Sequence, residues 1–427
     1  MKTIAKILAV IAAAACMAVV GIGCGSKGYV DKSNAVELGA FDRPDYAREM
    51  EEKHDREGRE HIEIPDGAET ITIDSEEYIP ITKWSEIDQS NKNYIMKCDI
   101  DVSNSTHVGN IRYPFRGKFH GNNYKIKGKS STAVFAAIED AIITNVIISS
   151  EFEHGGHAVN VTYSDSIFIQ DAKNSVISDC VNYATPRNEV DGVIGTITNT
   201  SVMNCYNYAD MRSYSGLVNI ARDKFRLSNC YNYGNISSDS VCGGILTGYH
   251  YAQTIEIEDD FRGSIENCVN VGKLIGGSAV GGIVGCARNY FWILEFVKRI
   301  GEGFYSSETV KLYEDDIKDY NEGIAKQEIL STVSCRNDGD IYRSKDTKKE
   351  WISGIGGIAG IGSVIRSCTN NGRIYGYESL HPDVTVNKIG GVAGGAYIVE
   401  DCTSTTQLQL ADTIVQYGDI CGFLAKD

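Results

Sequence analysis

The chain has 427 residues, of which 42% are hydrophobic and 23% are charged, a balance that is ordinary for a folded protein. Its formal net charge of −16 at pH 7 counts against nucleic acid and against anionic membrane surfaces as partners, because both repel an acidic protein. The 44 glycines, set against 6 prolines, are spread periodically and therefore indicate many tight corners rather than a disordered linker.

Residues 1–24 are predicted to be a targeting segment. Lys2 and Lys6 precede the apolar run ILAVIAAAACMAVVGIG, which ends in the stretch GIGCGSKG. Small residues before a cysteine resemble the lipobox of bacterial lipoproteins, and the resemblance implies that Cys24 is lipidated. Gly21 departs from that pattern, because the family usually has Leu at this position. Secretion with cleavage elsewhere and a retained N-terminal membrane anchor are the alternatives.

Residues 25–61 have the composition of a charged tether. The stretch FDRPDYAREMEEKHDREGREH is dense in charges of both signs and nearly free of apolar residues. Such a segment is predicted to be at most a short solvated helix that adds nothing to a core.

Residues 62–427 are predicted to form one domain built from short strands. IEIPDGAETITI alternates apolar and polar residues, as a half-buried strand does. A helical turn and a further strand follow in WSEIDQSNKNYIMKCDIDVS, and FRGKFHGNNYKIKG and AIITNVIISSE continue the pattern. Short strands at regular spacing, with no long helix between them, predict an all-β fold.

A cysteine motif recurs from Cys180 to Cys402. Its versions include SDCVNYATP, MNCYNYADM, SNCYNYGNIS, ENCVNVGKL, VSCRNDGDI, RSCTNNGRI and EDCTSTTQL, with cysteines at 180, 205, 230, 268, 335, 368 and 402. A glycine-rich element such as CGGILTG, VGGIVGC or GGIAGIG follows most of them. A period near 25 residues, made of strands and glycine corners, is typical of a solenoid in which each coil is buried by the next.

The motifs NCYNYGNI…GGILTG and NCVNVGKL…GGIVG resemble the GLUG-type repeats of bacterial surface proteins. With the segment 84–128, which resembles the opening coils of such proteins, the resemblance covers about four-fifths of the chain. It implies a right-handed parallel β-helix. The family includes adhesin-like proteins and the flanking regions of immunoglobulin A-cleaving metallopeptidases, so the resemblance implies an architecture and not an activity.

The repeated cysteines are predicted to point inward as small apolar residues. Metal sites favour CxxC pairs or mixed Cys/His clusters, which these spacings do not provide, and stacked coils place equivalent side chains in a poor geometry for disulfides. The asparagine two residues after the cysteine lies on the same face of the strand. We predict that its amide bonds to the equivalent amide of the next coil and to corner backbone groups.

Catalytic and metal-binding candidates are few. Asp259, Asp260 and Arg262 form the best cluster for acid–base chemistry on a polysaccharide, although a solvated charged loop is the preferred interpretation. EFEHGGHAV brings His154 and His157 near acidic residues, and a polar corner is preferred there to a metal site. The sequence has no HExxH motif. We predict no cofactor and no metal.

The repeat is interrupted by an insertion at about 287–331. Val310, Tyr313, Ile317 and Tyr320 recur at helical spacing, so the insertion is predicted to be partly helical. It is also rich in aromatic residues, and the candidates for ligand contact are Tyr290, Phe291, Trp292, Phe304 and Tyr305. A small core of the insertion's own is the alternative and preferred role for these rings.

Together these features predict an exported, lipid-anchored monomer that is exposed at the cell surface and binds an extracellular glycan or protein. A polysaccharide lyase or glycoside hydrolase on the same fold is the first alternative. A purely structural surface protein is the second.

Overall fold

The computed structural model describes residues 43, 45–88, 91–103, 105–155, 166–250, 263–287, 330–343, 354–376, 388–405, 408–410 and 416–422. Most of the insertion predicted at about 287–331, with its predicted helix, falls in the range 288–329 and lies outside the described residues.

The described chain is an all-β, solenoid-like fold of parallel sheets, as the repeat predicts. Tyr206 and Asn207 pair in parallel with Tyr231 and Asn232 of the next coil, and the same register recurs from coil to coil. The coils stack because the glycine-rich and cysteine-containing strands each have an apolar face that only a neighbouring coil can bury.

Four sheets run along the solenoid in the described part of the chain. The eighteen-stranded sheet contains Ile71–Ile73, Glu76–Ile81, Tyr94–Met96, Lys118–His120, Phe135–Glu139, Ile142–Thr144, Ile169–Lys173, Val176–Ser178, Ile194–Met203, Val218–Ser228, Leu246–His250, Gly263–Glu266, Val284–Ala287, Leu330–Val333, Ala359–Ile361, Val364–Arg366, Ala393–Gly395 and Ile398–Glu400. The ten-stranded sheet contains Ile100–Asp101, Lys125–Ser130, Ile147–His154, Val181–Asn182, Tyr206–Asn207, Tyr231–Asn232, Val269–Asn270, Arg336–Asn337, Thr369–Asn370 and Thr403–Ser404.

Two shorter sheets complete each later coil. The six-stranded sheet contains Met211–Arg212, Ile236–Ser237, Leu274–Gly276, Ile341–Arg343, Ile374–Gly376 and Leu408–Leu410. The five-stranded sheet contains Cys242–Gly243, Ala279–Gly281, Gly354–Gly356, Lys388–Gly390 and Gln416–Gly418. An α-helix spans Tyr46–Glu57, and a 3₁₀ helix spans Trp84–Glu86, where the sequence predicts a helical turn.

The solenoid begins with a hairpin. Ile71–Ile73 pairs antiparallel with residues 76–78, and Ile79 to Ile81 then pairs in parallel with Tyr94–Met96. The hairpin therefore occupies the sheet edge that the first coil would otherwise expose. The strand that the sequence predicts from Ile62 begins only at Ile71.

The residue before each repeated cysteine makes the corner between the eighteen-stranded and ten-stranded sheets. Each of these residues has a left-handed backbone, with φ between 51° and 56°: Asp179, Asn204, Asn229, Asn267, Ser334, Ser367 and Asp401. Asn and Asp adopt this conformation more readily than other non-glycine residues, which explains why they dominate the position. The sequence analysis predicted corners at glycines and did not predict this corner before the cysteine.

The repeated cysteines form a column inside the solenoid, as predicted. Cys180 and Cys205 are buried, as are those of the next four coils, and every described cysteine is a free thiol. The thiol of Cys205 donates to the carbonyl of Met203, at 3.2 Å between sulfur and oxygen. Burial raises the pKa of a further core thiol, Cys242, to about 12, so it stays protonated.

The asparagines form a second column, and the predicted amide ladder is confirmed. From Asn182 to Asn337, each Nδ2 donates to the Oδ1 of the next coil's asparagine at 2.7 to 2.9 Å. Each Nδ2 also donates to the carbonyl two residues further along its own chain. The ladder thereby satisfies polar groups that would otherwise be buried without partners.

Candidate functional site

The outer face of the ten-stranded sheet is partly covered by a segment that we name the strap, comprising Arg43 and residues 45–62. Its helix, Tyr46–Glu57, places Ala47 and Glu51 four residues apart on one buried face. The small side chain of Ala47 lets the helix approach the sheet closely. The predicted solvated helix is therefore corrected, because one face of it joins the main core.

Glu51 holds the middle of the strap. Its side chain is 3% exposed, and its carboxylate accepts hydrogen bonds from the backbone N–H of Ser150, at 2.8 Å, and from the Ser150 hydroxyl. Lys125 adds its ammonium, whose Nζ lies 3.1 Å from Glu51 Oε1 and 2.5 Å from Asp55 Oδ2. A carboxylate at this depth is tolerated because Lys125 pairs with its charge and Ser150 donates two hydrogen bonds to Oε2.

The ends of the strap are held by further polar contacts. At the start, Arg43 donates to the carbonyl of Tyr233 at 2.9 Å and to Asp210 at 3.1 Å. At the other end, the His61 ring stacks on Tyr124, with centroids 4.2 Å apart. Sequence spacing gives no hint of such partners, because Arg43 and Asp210 are 167 residues apart.

Tyrosines form two outward columns on the same sheet. One contains Tyr183, Tyr208 and Tyr233, with centroids 5.2 and 4.8 Å apart. The other contains Tyr206 and Tyr231, with centroids 5.1 Å apart and planes 4° from parallel. The parallel register produces this stacking, because equivalent positions of adjacent coils lie one strand spacing apart.

The strap divides these tyrosines into covered and open rings. Tyr183 and Tyr208, which are 1% and 7% exposed, lie beneath the helix, where His54 contacts both rings. Tyr206, Tyr231 and Tyr233 remain half-buried beyond it. Since stacked rings cover each other's faces, these three present mainly edges and hydroxyls. Burial raises the pKa of Tyr206, so its hydroxyl remains a neutral donor.

The open tyrosines continue into an apolar and then a polar surface. Val271, which is 39% exposed, follows Tyr233 in the next coil. Asp338 follows Val271 and accepts hydrogen bonds from Arg336 Nε at 2.9 Å and from Asn371 Nδ2 at 2.8 Å. We call Tyr206, Tyr231, Tyr233 and Val271 the tyrosine face, with Arg336, Asp338 and Asn371 as its polar rim.

A charged groove lies at an earlier part of the ten-stranded sheet. Its volume is about 380 Å³, and it is lined by Asp101, Ser103, Lys127, Gly128, Lys129, Glu151 and Glu153. Glu153 pairs with Lys129 at 3.0 Å and with Arg187 at 3.1 Å. The hydrogen bond from Lys129 lowers the pKa of Glu153, so this carboxylate is ionised at neutral pH and suits ion pairing rather than proton donation.

The geometry of the EFEHGGHAV stretch does not favour a metal site. His154 is fully buried, whereas Glu151 lies on the exposed side of the same strand. Burial lowers the pKa of His154 to about 4, so its ring is neutral. His157 lies outside the described residues. Within the described part of the chain, no group of three or more His, Cys, Asp or Glu side chains is placed to hold a metal ion.

The other residues singled out from the sequence lie outside the described part of the chain, so the structure neither brings them together nor separates them. They are Cys24, Asp259, Asp260, Arg262, Tyr290, Phe291, Trp292, Phe304 and Tyr305. The sequence analysis missed the tyrosine face. Its signal is present in the NYATP, NYADM and YNYGNI stretches, where tyrosine recurs three residues after the cysteine and, in the last two of these coils, also one residue after it.

No family model matches the chain, and no curated protein matches it. Among solved structures, the chain is similar to one described as a "putative immunoglobulin A1 protease" from Bacteroides ovatus. That match has 12% sequence identity and a TM-score of 0.35, and it covers 83% of this chain and 85% of the other.

Proposed function

We propose that this chain is an adhesin-like binding protein anchored at the bacterial cell surface, and that it binds its ligand through the tyrosine face. The observation that carries the proposal is the continuous outward surface formed by the open tyrosines, Val271 and the polar rim. Tyrosine and arginine beside an exposed apolar side chain is the composition that protein interfaces favour.

The orientation of the rings favours a protein ligand over a glycan. Sugars stack on the open faces of aromatic rings, whereas Tyr206 and Tyr231 cover each other and present edges. Ring edges and hydroxyls suit hydrogen bonding and packing against side chains of a partner. Glycan binding remains the second candidate ligand class, supported by the hydrogen-bonding groups of Arg336, Asp338 and Asn371.

Loss of the open rings should weaken binding of the ligand. We expect the double variant Tyr206→Ala and Tyr231→Ala to weaken binding by at least about tenfold, because truncating aromatic anchors commonly costs more than about 1.4 kcal/mol. Arrays of immobilised extracellular proteins and of glycans, probed with the full chain, identify the ligand, and surface plasmon resonance gives the affinity. Tyr113→Ala is the matched control, because Tyr113 is 65% exposed on a separate turn. An equal loss of affinity in the double variant and in Tyr113→Ala, or no loss in either, would contradict the proposed site.

The fold proposed with this function is a right-handed parallel β-helix. Its support is the parallel pairing that continues between successive coils, because crossover connections between parallel strands of one sheet are right-handed in about 98% of cases. The GLUG-type resemblance of the repeats supports the same architecture.

Anchoring is proposed to occur through a diacylglyceryl group on Cys24. No helix in the described part of the chain is long and apolar enough to cross a bilayer. We expect mass spectrometry of the mature protein to show an N-terminal cysteine, Cys24, carrying the lipid, and Cys24→Ala to leave the protein unlipidated. A mature N-terminus elsewhere, or an unmodified Cys24, would rule out this anchor and leave the binding proposal untouched.

Catalysis on a polysaccharide through Asp259, Asp260 and Arg262 stays an alternative from the sequence, and so does a purely structural role. Turnover of a polysaccharide that is lost in Asp259→Ala or Asp260→Ala would favour the enzyme.

A further inference from the structure

The strap is held to the solenoid mainly by charged and hydrogen-bonding groups. Arg43 pairs with Asp210, Lys125 pairs with Glu51 and Asp55, and Ser150 and the two histidines add hydrogen bonds. Of the helix, Ala47 and Glu51 are buried, and Tyr46 and Met50 are partly buried against the core. An interface that combines this limited apolar burial with several charged contacts depends on the ionisation of its members more than a packed core does.

His54 is a half-buried strap residue that contacts both covered tyrosines. Its Nδ1 lies 2.5 Å from the hydroxyl of Tyr183, and its ring meets the edge of Tyr208 with centroids 5.3 Å apart. Burial raises the pKa of Tyr183 to about 12, so that hydroxyl keeps its proton and can donate it to a neutral imidazole.

We propose that the strap is an acid-releasable clasp, which lifts from the ten-stranded sheet in mildly acidic solution and uncovers Tyr183 and Tyr208. The solenoid beneath stays folded, because its cysteine and asparagine columns contain no strap residue. Release would extend the tyrosine face under the former position of the helix.

The direction of the pH dependence of strap docking follows from the titration of His54. Burial lowers its pKa from the usual value near 6.5, so docking favours the neutral ring. The stabilisation is therefore fully present above about pH 6.5 and is lost as pH falls through the lower pKa of the docked state. The charged neighbours on its own segment are Lys53, Asp55, Glu57 and Arg59, and the sheet presents Tyr183 and Tyr208.

Two carboxylates that hold the strap also titrate. Burial opposes the ionisation of Asp55, but hydrogen bonds from Lys125 and Arg59 outweigh it and hold the pKa below its usual value. Asp55 therefore supports docking down to strongly acidic pH and gives way only there. Burial raises the pKa of Asp210, and its protonation would remove the charge that Arg43 faces.

Release would also lengthen the tether. With the strap docked, residues 25–42 separate Cys24 from the first contact on the sheet, and with it released the free segment extends to residue 62. This consequence rests on the proposed lipidation, whereas the clasp itself does not. An unlipidated chain that still releases its strap would disprove the anchor and leave the clasp standing.

Hydrogen exchange read by mass spectrometry, corrected for the pH dependence of intrinsic exchange, tests the clasp. In the full chain, we expect the protection of amides 46–57 to fall by about tenfold between pH 7.5 and pH 5.0, with the loss beginning as the pH falls below about 6.5. Amides at Tyr206–Asn207 and Tyr231–Asn232 should keep their protection. Strap protection that stays constant down to pH 5.0, or parallel loss in the solenoid, would overturn the proposal.

Variants assign the effect to one histidine. His54→Gln keeps a hydrogen-bonding side chain beside Tyr183 but cannot be protonated, so its strap protection should change less than threefold over the same pH range. His107→Gln, outside the strap, should behave like the unmodified chain. If His54→Gln still shows the full pH-dependent loss, His54 is not the switch. If the strap amides of His54→Gln are unprotected at both pH values, the unmodified chain decides the outcome. Loss of its strap protection between pH 7.5 and pH 5.0 supports the proposal, and constant protection over that range overturns it.

Discussion

Replacing Asn270 by alanine should lower the free energy of unfolding by roughly 3 to 5 kcal/mol. The Asn270 amide donates to the carbonyl of Gly272 and to Asn337, and it accepts from Asn232. Its loss leaves buried donors and acceptors unpaired in two neighbouring coils, and each such group costs about 1 to 3 kcal/mol. Urea unfolding followed by far-UV circular dichroism measures the change.

Two comparisons separate hydrogen bonding from loss of volume. Asn371→Ala removes an exposed asparagine from the neighbouring outward position, and its effect should stay within about 0.5 kcal/mol. Asn270→Asp keeps the shape but replaces the donor with an acceptor facing Asn337, so at pH 7 it should destabilise at least as much as alanine. An Asn270→Ala variant as stable as Asn371→Ala would show that the ladder contributes little.

Replacing Gly272 by alanine should be at least as damaging, with a loss of about 3 kcal/mol or more. A Cβ atom at this position would lie 1.8 Å from the carbonyl oxygen of Gly234 and 2.6 Å from its carbon. Both contacts are to backbone, so no side chain can rotate away and the coils must separate. The urea midpoint, or pulse proteolysis where little soluble protein forms, reports the loss.

Gly155→Ala is the matched control for this substitution. Its nearest contact would be the carbonyl oxygen of Ser130 at 3.5 Å, an ordinary distance, and its backbone is not left-handed. We expect it to be neutral or to stabilise the fold by up to about 1 kcal/mol, because alanine restricts the unfolded chain. Similar midpoints for the two alanine variants would mean that the coils can spread at little cost.

The interior columns could be predicted because a repeat shows in the sequence what stacks in space. Cys230 and Asn232 recur two residues apart in coil after coil, and alternation along a strand then places both on one face. The corner before each cysteine was missed because Asn and Asp there look like ordinary polar residues. Only the backbone shows that Asn229 adopts a left-handed conformation.

The strap could not be predicted by the same reasoning. Its partners recur with no period, and Arg43, Glu51 and Asp55 look like solvated charges until the sheet supplies Asp210 and Lys125. The tyrosine face was overlooked because Tyr206 and Tyr231 fit equally well as strand residues. Whether such a residue points outward depends on the register, which the pairing of coils fixes.

The asparagine ladder also determines how this molecule can grow. Successive members are separated by 25, 25, 38, 67 and 33 residues along the chain, yet their amide bonds stay at 2.7 to 2.9 Å. Extra sequence is therefore accommodated outside the ladder, while its length increases only by complete turns. Evolution can add or delete whole modules, or enlarge a loop between them, but a fraction of a turn would leave an amide without its neighbour.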